Sequence, residues 1–240
     1  VLCAGCPHRG LFYTLKRLNV TVSGDIGCYT LGVAKPLGMM DTVLCMGGSV
    51  SGLHGRNLAN PDKANKSVAV IGDSTFMHSG ITGLVNIAYN ATDSVVIILD
   101  NSITGMTGHQ HNPTTGFNIK GEPALAVDLE ALAKAVGIQN VIVVDPYNLA
   151  ETKEGIKQAL EADGPAVVIS RRPCALLKTV KYTGHCKIGD NCRNCKLCMK
   201  LGCPAITIKE GKVIIDETQC NGCGLCINVC PFGAISKEEN

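Results

Sequence analysis

The stretch KSVAVIGDS at positions 66–74, followed by SVVIILDN at 94–101, decides the fold of this chain. Each begins as a short apolar run rich in β-branched residues, typical of a strand buried on both faces of a parallel sheet. Each run ends in small or polar residues, Gly72-Asp73-Ser74 and Asp100-Asn101. A helical pattern lies between them, so we expect two parallel strands joined by a helix.

The alternation of strands and helices extends over residues 1–183, which predicts an α/β domain with a mainly parallel sheet and helices on both faces. The polar segment 178–190 is interpreted as a linker, and residues 184–240 as a small second domain. The predicted strands are 20–22, 42–46, 66–71, 94–99, 141–144 and 166–170; the predicted helices are 7–18, one opening at 47–49, one with Ile81, Leu84, Val85 and Ala88 buried, 128–136 capped by Asp128, and 149–161.

Composition narrows the class of protein. With 240 residues the chain can form one core of moderate size and a small satellite. The net charge of +2 gives no reason to expect binding to nucleic acid or to a membrane surface. Fourteen cysteines, with no signal peptide and no long apolar run, indicate a reducing cytoplasm. Because the sequence starts at Val1, close to a Cys-x-x-Cys, we expect part of a longer polypeptide or a processed subunit.

The tail contains eight cysteines in two similar runs, each ending in Cys-Pro. This is the ligand pattern of a protein with two 4Fe–4S clusters, in which the last cysteine of each run binds the other cluster. Structural zinc sites and disulfides are the alternatives, and the doubled Cys-Pro pattern disfavours both. Residues 205–216 should form a hairpin that turns near Gly211. The predicted sets are Cys192, Cys195, Cys198 and Cys230, and Cys203, Cys220, Cys223 and Cys226.

Asp73 and Asn101 follow two predicted parallel strands, whose carboxyl ends share one edge of the sheet. A carboxylate and an amide oxygen are hard ligands, suited to Mg²⁺ that also binds phosphate oxygens. Gly72 would let the backbone approach those phosphates, and Ser74 would begin a helix whose amino end favours anions. The Gly-, Thr- and Asn-rich residues 101–121 are interpreted as a functional loop.

This order of strand, Gly-Asp-Ser, helix, strand and Asp-Asn resembles the thiamine diphosphate motif, usually GDG followed by NN. The resemblance implies that Asp73, Asn101 and the carbonyl of Ile103 bind Mg²⁺. An ordinary turn followed by an Asn cap is the alternative. The cofactor-binding residues expected on this basis are His8, Gly27, Cys28, Gly47, Gly72, Asp73, Ser74, Asn101, Ile103, Met106 and Thr107.

Four further cysteines, Cys3, Cys6, Cys28 and Cys174, occur in the order of the ligands of a third, proximal 4Fe–4S cluster in pyruvate:ferredoxin-type enzymes. Cys28 and Cys174 as buried structural thiols are the alternative. Two cysteines remain: Cys45, expected in the core, and Cys186, expected to be a spare thiol outside the motif.

From end to end the sequence resembles the carboxyl-terminal half of the large subunits of the indolepyruvate:ferredoxin oxidoreductase family, within the 2-oxoacid:ferredoxin oxidoreductases. The resembling segments are 3–9, 25–30, 46–49, 72–80, 100–110 and the cysteine-rich tail. The resemblance implies an anaerobic, coenzyme A-dependent oxidative decarboxylation of aryl 2-oxoacids, with electrons passed through the clusters to ferredoxin. The implied partners are a pyrimidine-binding domain or subunit, which carries the activating Glu, and a small gamma-type subunit, so that the chain alone is inactive.

Three other functions remain open at this point. The substrate could be pyruvate or another 2-oxoacid. The chain could be an electron-transfer subunit whose α/β domain is a scaffold, or a thiamine-dependent decarboxylase or synthase without redox chemistry. Among the remaining polar residues, His8 and His78 are candidates for the cofactor side and His109 and His111 for substrate contact, while Arg171 and Arg172 either bind an anion or are solvated.

Overall fold

The structure, a computed structural model, describes residues 1–238 and contains a six-stranded sheet whose paired strands are all parallel. The strand order is β2-β1-β3-β4-β6-β5, which confirms the predicted α/β class. The strands are β1 (Thr21–Gly24), β2 (Thr42–Val43), β3 (Ser67–Gly72), β4 (Val95–Asp100), β5 (Asn140–Val144) and β6 (Ala166–Arg171).

Helices cover both faces of the sheet. Helices α1 and α6 pack together on one face, and α2, α4 and α5 contribute buried side chains to the other. A π-helical turn, Phe76–Gly80, joins the short α3 to α4 in one continuous helix after β3. The helices are α1 (His8–Leu18), α2 (Gly48–Ala59), α3 (Asp73–Thr75), α4 (Ile81–Tyr89), α5 (Leu129–Ala135) and α6 (Leu149–Leu160).

None of the helices within residues 1–238 has both the length and the apolar character needed to cross a membrane.

The pleat of β4 distributes its side chains between two cores. Val95, Ile97 and Leu99 point into the core beneath α1 and α6. Val96 and Ile98, on the opposite face, belong to the core beneath α2 and α4. Side chains alternate across a strand, and all six residues of β4 are buried. A continuous apolar run is therefore required here, as the sequence analysis predicted.

The cysteine-rich tail forms two small antiparallel ribbons. One pairs β7 (His185–Ile188) with β10 (Ile235–Glu238), and the other pairs β8 (Ile206–Lys209) with β9 (Lys212–Ile215). The second ribbon is the predicted hairpin. Its two-residue turn, Glu210-Gly211, has positive φ at both positions, 51° and 78°, as a type I′ turn requires.

The tail packs directly against the sheet domain. Apolar side chains of the tail, such as Leu201 and Leu225, belong to the same core as Leu11 and Phe12 of α1. The tail therefore completes the cover of one face of the sheet. The division at residues 183 and 184 remains a prediction.

Several local predictions are wrong. The linker assigned to 178–190 includes strand β7, because its polar residues pair with β10 at the surface. The strand predicted at 42–46 ends at Val43, and Cys45 is exposed in the turn before α2 rather than in the core. On α4 the buried stripe runs through Leu84 and Ile87, whereas Val85 is exposed.

Contact between α1 and α6 depends on the absence of a side chain at Gly10. A Cβ at this position would lie 1.8 Å from the carbonyl oxygen of Pro146, just before α6. Gly10→Ala should therefore destabilise the protein by about 2–3 kcal/mol through overpacking, measured by chemical denaturation. Gly55→Ala is the control, since its Cβ would meet open space in α2 and should stabilise the helix by about 0.5–1 kcal/mol. Equal effects at the two positions would contradict this packing.

Candidate functional site

A cavity of about 220 Å³ opens at the carboxyl edge of the sheet, where β1, β3 and β4 end side by side. We call it the sheet-edge cavity. It brings together every cofactor-binding residue expected from the sequence except Gly47. The residues that line it are His8, Ile26, Gly27, Cys28, Tyr29, Met46, Gly72, Asp73, Ser74, Thr75, His78, Leu99, Asn101, Ile103, Thr104, Gly105, Met106 and Thr107.

Asp73 is the only Asp or Glu among the described residues that line this cavity, and its side chain is almost completely buried. One carboxylate oxygen accepts a hydrogen bond of 2.7 Å from the Ser74 amide. Burial raises the pKa of Asp73 to about 7, with a smaller contribution from the nearby Asp100 charge. A buried carboxylate of this kind is strongly favoured in its ionised form once a cation binds beside it. The carboxylate therefore fits the predicted Mg²⁺ ligand.

The loop after β4 supports Asp73 in a way that the sequence analysis missed. The hydroxyl of Thr114 lies 3.4 Å from the second carboxylate oxygen of Asp73 and 2.7 Å from the side-chain oxygen of Asn112. Asn112 is itself buried. The composition of residues 101–121 predicts a functional loop, but a contact between residues 41 positions apart leaves no local signal in the sequence.

Asn101 lies beside the buried ring of His8. Its Nδ2 is 3.4 Å from His8 Nε2, and its Oδ1 accepts a hydrogen bond of 3.3 Å from the Ile103 amide. Burial lowers the pKa of His8 to about 4, so the imidazole is neutral at physiological pH. Asn101 therefore donates to a neutral histidine while its oxygen remains on the cavity side of the loop.

Asp100, which stands where the usual motif has its first Asn, is engaged elsewhere. Its carboxylate forms an ion pair of 2.9 Å with Arg171, and Arg171 also pairs with Glu130. The neighbouring Arg172 pairs with Asp145 instead. Both arginines are thus neutralised by carboxylates of the chain itself, which argues against the anion-binding role considered for them.

The glycines of the cavity make room for an aromatic ring. A Cβ at Gly27 or at Gly72 would lie 2.4 or 2.7 Å from Cε1 of Tyr29. The need for glycine at these positions thus comes from Tyr29, whose hydroxyl donates to the Ile26 carbonyl. Gly47, directly before α2, does not line the cavity. Its amide donates to the carboxylate of Asp25.

The candidate histidines divide into two groups. His8 and His78 line the sheet-edge cavity, and His78 Nδ1 lies 2.6 Å from the Ser79 hydroxyl. His109 and His111 are exposed in the loop and do not line it. The ring of His111 packs against Phe117 at a centroid distance of 4.8 Å. Substrate contact by the second pair remains a prediction.

Of Cys3, Cys6, Cys28 and Cys174, only Cys28 is among the described residues that line this cavity. Burial raises the pKa values of Cys28 and Cys174, and the proximity of the Cys3 thiol raises both further. Burial likewise raises the pKa of Cys6 to about 12, with smaller contributions from Cys3 and Cys174. The Cys174 amide donates to the Asn101 carbonyl at 2.9 Å. The four thiols are therefore neighbours, and one is anchored to the predicted Mg²⁺ site.

The tail contains two separate cysteine-lined cavities. The inner cysteine cavity adjoins α1 and the loop before it, and the outer cysteine cavity lies beyond β7 and β9. Each contains three cysteines of one run and the fourth of the other, as the crossed pairing predicts. The inner cavity is lined by Cys203, Cys220, Cys223 and Cys226, and the outer cavity by Cys192, Cys195, Cys198 and Cys230.

A fifth cysteine, Cys186 on β7, lines the inner cysteine cavity. It is buried, and its amide donates to Cys220 Sγ at 3.3 Å. A hydrogen bond with Cys226 lowers the pKa of Cys186 to about 6 and raises that of Cys226, so the two sulfurs compete for one proton. The expected position of Cys186, outside the cysteine motif, is therefore wrong. Strand β7 lies near the second cysteine run because it pairs with β10, which follows that run in the sequence.

These arrangements fit a metal-bound diphosphate at the sheet edge and iron–sulfur clusters at the cysteines. In the part of the chain that the structure describes, no group of three or more Cys, His, Asp or Glu side chains is already arranged to hold a metal ion. The Mg²⁺ set and the two tail sets rest on which residues share a cavity, the proximal set rests on the sequence pattern, and all of them remain predictions.

The burial of Asp73 has a measurable effect on stability. Its ordinary pKa of 3.8 in the unfolded chain is raised to about 7 in the fold, so the native state becomes less stable as the pH rises between these values. In metal-free protein, Asp73→Asn should raise the free energy of unfolding by on the order of 2–4 kcal/mol at about pH 8, and by less at about pH 5.

Chemical denaturation at the two pH values checks this, and Asp62→Asn, an exposed site, serves as the control. Added Mg²⁺ and thiamine diphosphate should stabilise the unsubstituted protein but not the Asp73 variant. A stability gain independent of pH would contradict the assignment of the raised pKa to Asp73.

Substitutions of Cys186 and Cys226 should differ in their effect on the iron content of the protein. Cys226→Ala removes a predicted ligand and should lower the iron content by about four atoms per chain. Cys186→Ala should leave the iron content unchanged, since it is outside the predicted set. Iron and sulfide analysis checks both variants; loss of iron only from the Cys186 variant would show that the inner ligand set is misassigned.

Comparison with known proteins agrees with this geometry. The profile described as "Thiamine pyrophosphate enzyme, C-terminal TPP binding domain" matches residues 25–170, and a 4Fe-4S binding domain matches residues 213–236. The first match runs from the residue after β1 to the penultimate residue of β6 and includes Asp73 and Asn101, whereas His8 and Cys174, which contact Asn101, lie outside it.

Curated relatives match along the entire chain. The indolepyruvate oxidoreductase subunit IorA of Archaeoglobus fulgidus is 44% identical over 100% of this chain and 40% of its own length. The subunit of the same name from Pyrococcus horikoshii is 41% identical over 98% of this chain and 40% of its own length. The chain thus spans about two fifths of the length of these relatives.

A solved 2-oxoglutarate:ferredoxin oxidoreductase from Magnetococcus marinus has a similar fold, with a TM-score of 0.63 and 20% identity over 75% of this chain and 66% of that one. The parallel sheet with its carboxyl-edge cavity, the matching profile and the cysteine-rich tail together establish that the chain belongs to the thiamine pyrophosphate enzymes, with the carboxyl-terminal half of the indolepyruvate oxidoreductase A subunits as its counterpart.

Proposed function

We propose that this chain is the thiamine diphosphate-binding and electron-transferring part of a 2-oxoacid:ferredoxin oxidoreductase that converts aryl 2-oxoacids to acyl-coenzyme A and CO₂. The observation that carries the proposal is the position of Cys28, which lines the sheet-edge cavity together with Asp73 and Asn101 and belongs to the predicted proximal group. When bound, thiamine diphosphate would supply an electron sink for the decarboxylation. A cluster held by Cys3, Cys6, Cys28 and Cys174 would supply a one-electron acceptor beside it.

The chain's own residues bind and orient the cofactor. Asp73, Asn101 and the Ile103 carbonyl would hold Mg²⁺ with the diphosphate, and the helix that begins at Asp73 would offer its first amide groups to the anion. His8, neutral and buried, fixes the orientation of Asn101. Met106 and Thr107 border the cavity on the loop side.

A second domain or subunit completes the site. Residues 1–238 place no glutamate in the sheet-edge cavity, so the carboxylate that activates the aminopyrimidine is supplied by a pyrimidine-binding partner. The side chains at the mouth support this arrangement, because Met46 and Met106 line the cavity and are about half exposed. Two apolar side chains in the segment between β4 and α5, Ile119 and Leu125, are almost completely exposed, as expected at a surface that another chain covers.

Electrons leave through the tail in a definite order. The loop that carries Cys3 and Cys6 touches the inner cysteine cavity, where Asn221 donates to the Ala4 carbonyl at 3.3 Å. Tyr147, which does not line the cavity, donates to the Gly5 carbonyl at 2.5 Å. The outer cavity is more open, and its Cys192 and Cys195 are exposed. The route therefore runs from the proximal group to the inner cluster, then to the outer cluster and to ferredoxin.

The neighbourhood of the outer cluster suits an acidic acceptor such as ferredoxin. Arg193 and Lys196 line the outer cavity, and Lys212 lines the adjoining groove together with Cys192. The small gamma-type subunit and coenzyme A complete the set of proposed partners, and the proposed setting is an anaerobic cytoplasm.

The test is a 2-oxoacid panel on the complete purified complex, with a viologen dye as acceptor and with and without coenzyme A. Indolepyruvate and related aryl 2-oxoacids should reduce the dye faster than pyruvate or 2-oxoglutarate, and only when coenzyme A is present. About twelve irons per chain would accompany three clusters, and about eight would remove the proximal one.

Asp73→Ala separates this proposal from an electron-transfer subunit with a structural α/β domain. The variant should lose dye reduction by 2-oxoacids by a factor of at least about 10³ while keeping its iron. Asp62→Ala, at an exposed site, should change neither. Full activity of the Asp73 variant, or preference for pyruvate or 2-oxoglutarate, would overturn the corresponding part of the proposal.

A further inference from the structure

Arg9 is a buried charge that the proposed function does not use. Its side chain is 2% exposed at the beginning of α1. Within residues 1–238, no Asp or Glu forms an ion pair with it. A buried guanidinium without an anion is strongly unfavourable, because the desolvation of the charge is not compensated. The position therefore calls for a negative group, which no Asp or Glu of residues 1–238 supplies.

The hydrogen bonds of Arg9 satisfy part of the guanidinium but bring no charge. Nη1 donates to the Leu201 carbonyl at 2.8 Å, and Nη2 donates to the carbonyls of Leu2 and Cys3 at 2.6 and 2.9 Å. Nε is buried without a partner. The side chain thus joins the loop of the proximal cysteines to the tail, and the Nε hydrogen, one Nη1 hydrogen and the whole positive charge are left over.

The place of Arg9 identifies the missing anion. Its side chain lines the inner cysteine cavity together with Cys203, Cys220, Cys223 and Cys226. On the other side, Nη2 donates to the Cys3 carbonyl at 2.9 Å and the Arg9 amide donates to the Cys6 carbonyl at 3.2 Å, so Arg9 also contacts the loop of the proximal group. The guanidinium therefore lies between two predicted ligand sets.

We propose that Arg9 is the shared counter-ion of the proximal and inner iron–sulfur clusters and raises the reduction potential of both. This inference rests on the clusters of the proposed function. A cluster held by four thiolates is negatively charged in both oxidation states, and reduction adds one more electron to it. A buried cation beside the cluster stabilises the reduced form more than the oxidised form. Arg9 itself neither gains nor loses an electron or a proton.

The test is a potentiometric titration of the complete complex, followed by electron paramagnetic resonance, with the signals assigned through Cys226→Ala and Cys198→Ala. Arg9→Met removes the charge and should make reduction of the proximal and inner clusters about tenfold less favourable, a shift of about 59 mV to lower potential for a one-electron couple. The outer cluster should keep its potential. Arg9→Lys, which retains the charge, should shift the two clusters much less.

Arg17→Met is the matched control, since Arg17 lies on the same helix and is exposed. Unchanged potentials in a fully iron-loaded Arg9→Met protein would overturn the inference, as would an equal shift of all three clusters. Where the methionine variant loses its iron, the lysine variant decides: full loading with near-normal potentials supports the role of the charge, and failure to load shows that the carbonyl contacts alone matter. Absence of clusters from the unsubstituted complex would instead refute the proposed function.

Discussion

The parallel pairing of β3 with β4 is the constraint on which the rest of this structure depends. The hydrogen-bonded register places Gly72 opposite Leu99, so β3 and β4 end at the same level of the sheet. Asp73 and Asn101, 28 positions apart, therefore enter one cavity without any specialised connection between them. Because β1 is the other neighbour of β3, the segment around Gly27 and Cys28 joins the same edge. The hydrogen-bonded pairing of the strands thus brings the segments of the site together, whatever side chains they carry.

The edge of the sheet also concentrates local strain. A π-helical turn interrupts the helix that begins at Asp73, and Ser102 adopts a positive φ of 59° directly after Asn101. Such features cost free energy and persist where the surrounding packing enforces them. Together with the buried carboxylate of Asp73, they are unfavourable features at the position where a cofactor would compensate them.

Much of this architecture follows from local sequence patterns. The runs 66–71 and 94–99 predicted buried parallel strands, because an apolar residue is needed at every position when both faces are covered. The cysteine spacing predicted the two tail cavities, because two-residue gaps allow one loop to present three thiols. The meeting of Asp73 and Asn101 followed from strand order alone.

The features that escaped prediction depend on contacts between distant segments. Cys186 reaches the inner cysteine cavity only through the pairing of β7 with β10, and Asn112 and Thr114 reach Asp73 only through the path of a long loop. The exposure of Val85 and Cys45 reflects which neighbours happen to cover them. Periodicity and composition carry no information about such tertiary neighbours.

The continuous apolar core under α1 and α6 has a consequence for how the protein could have arisen and how it fails. Side chains from the tail and from the sheet belong to one cluster, so the boundary drawn along the sequence is not a boundary in cohesion. Neither the tail nor the sheet domain can be replaced by an unrelated domain without exposing an apolar surface on the other. If the inner cysteine cavity holds a cluster, as proposed, its oxidative loss would also loosen the packing of the neighbouring sheet, so that electron transfer and the cofactor cavity would be damaged together in the same molecule.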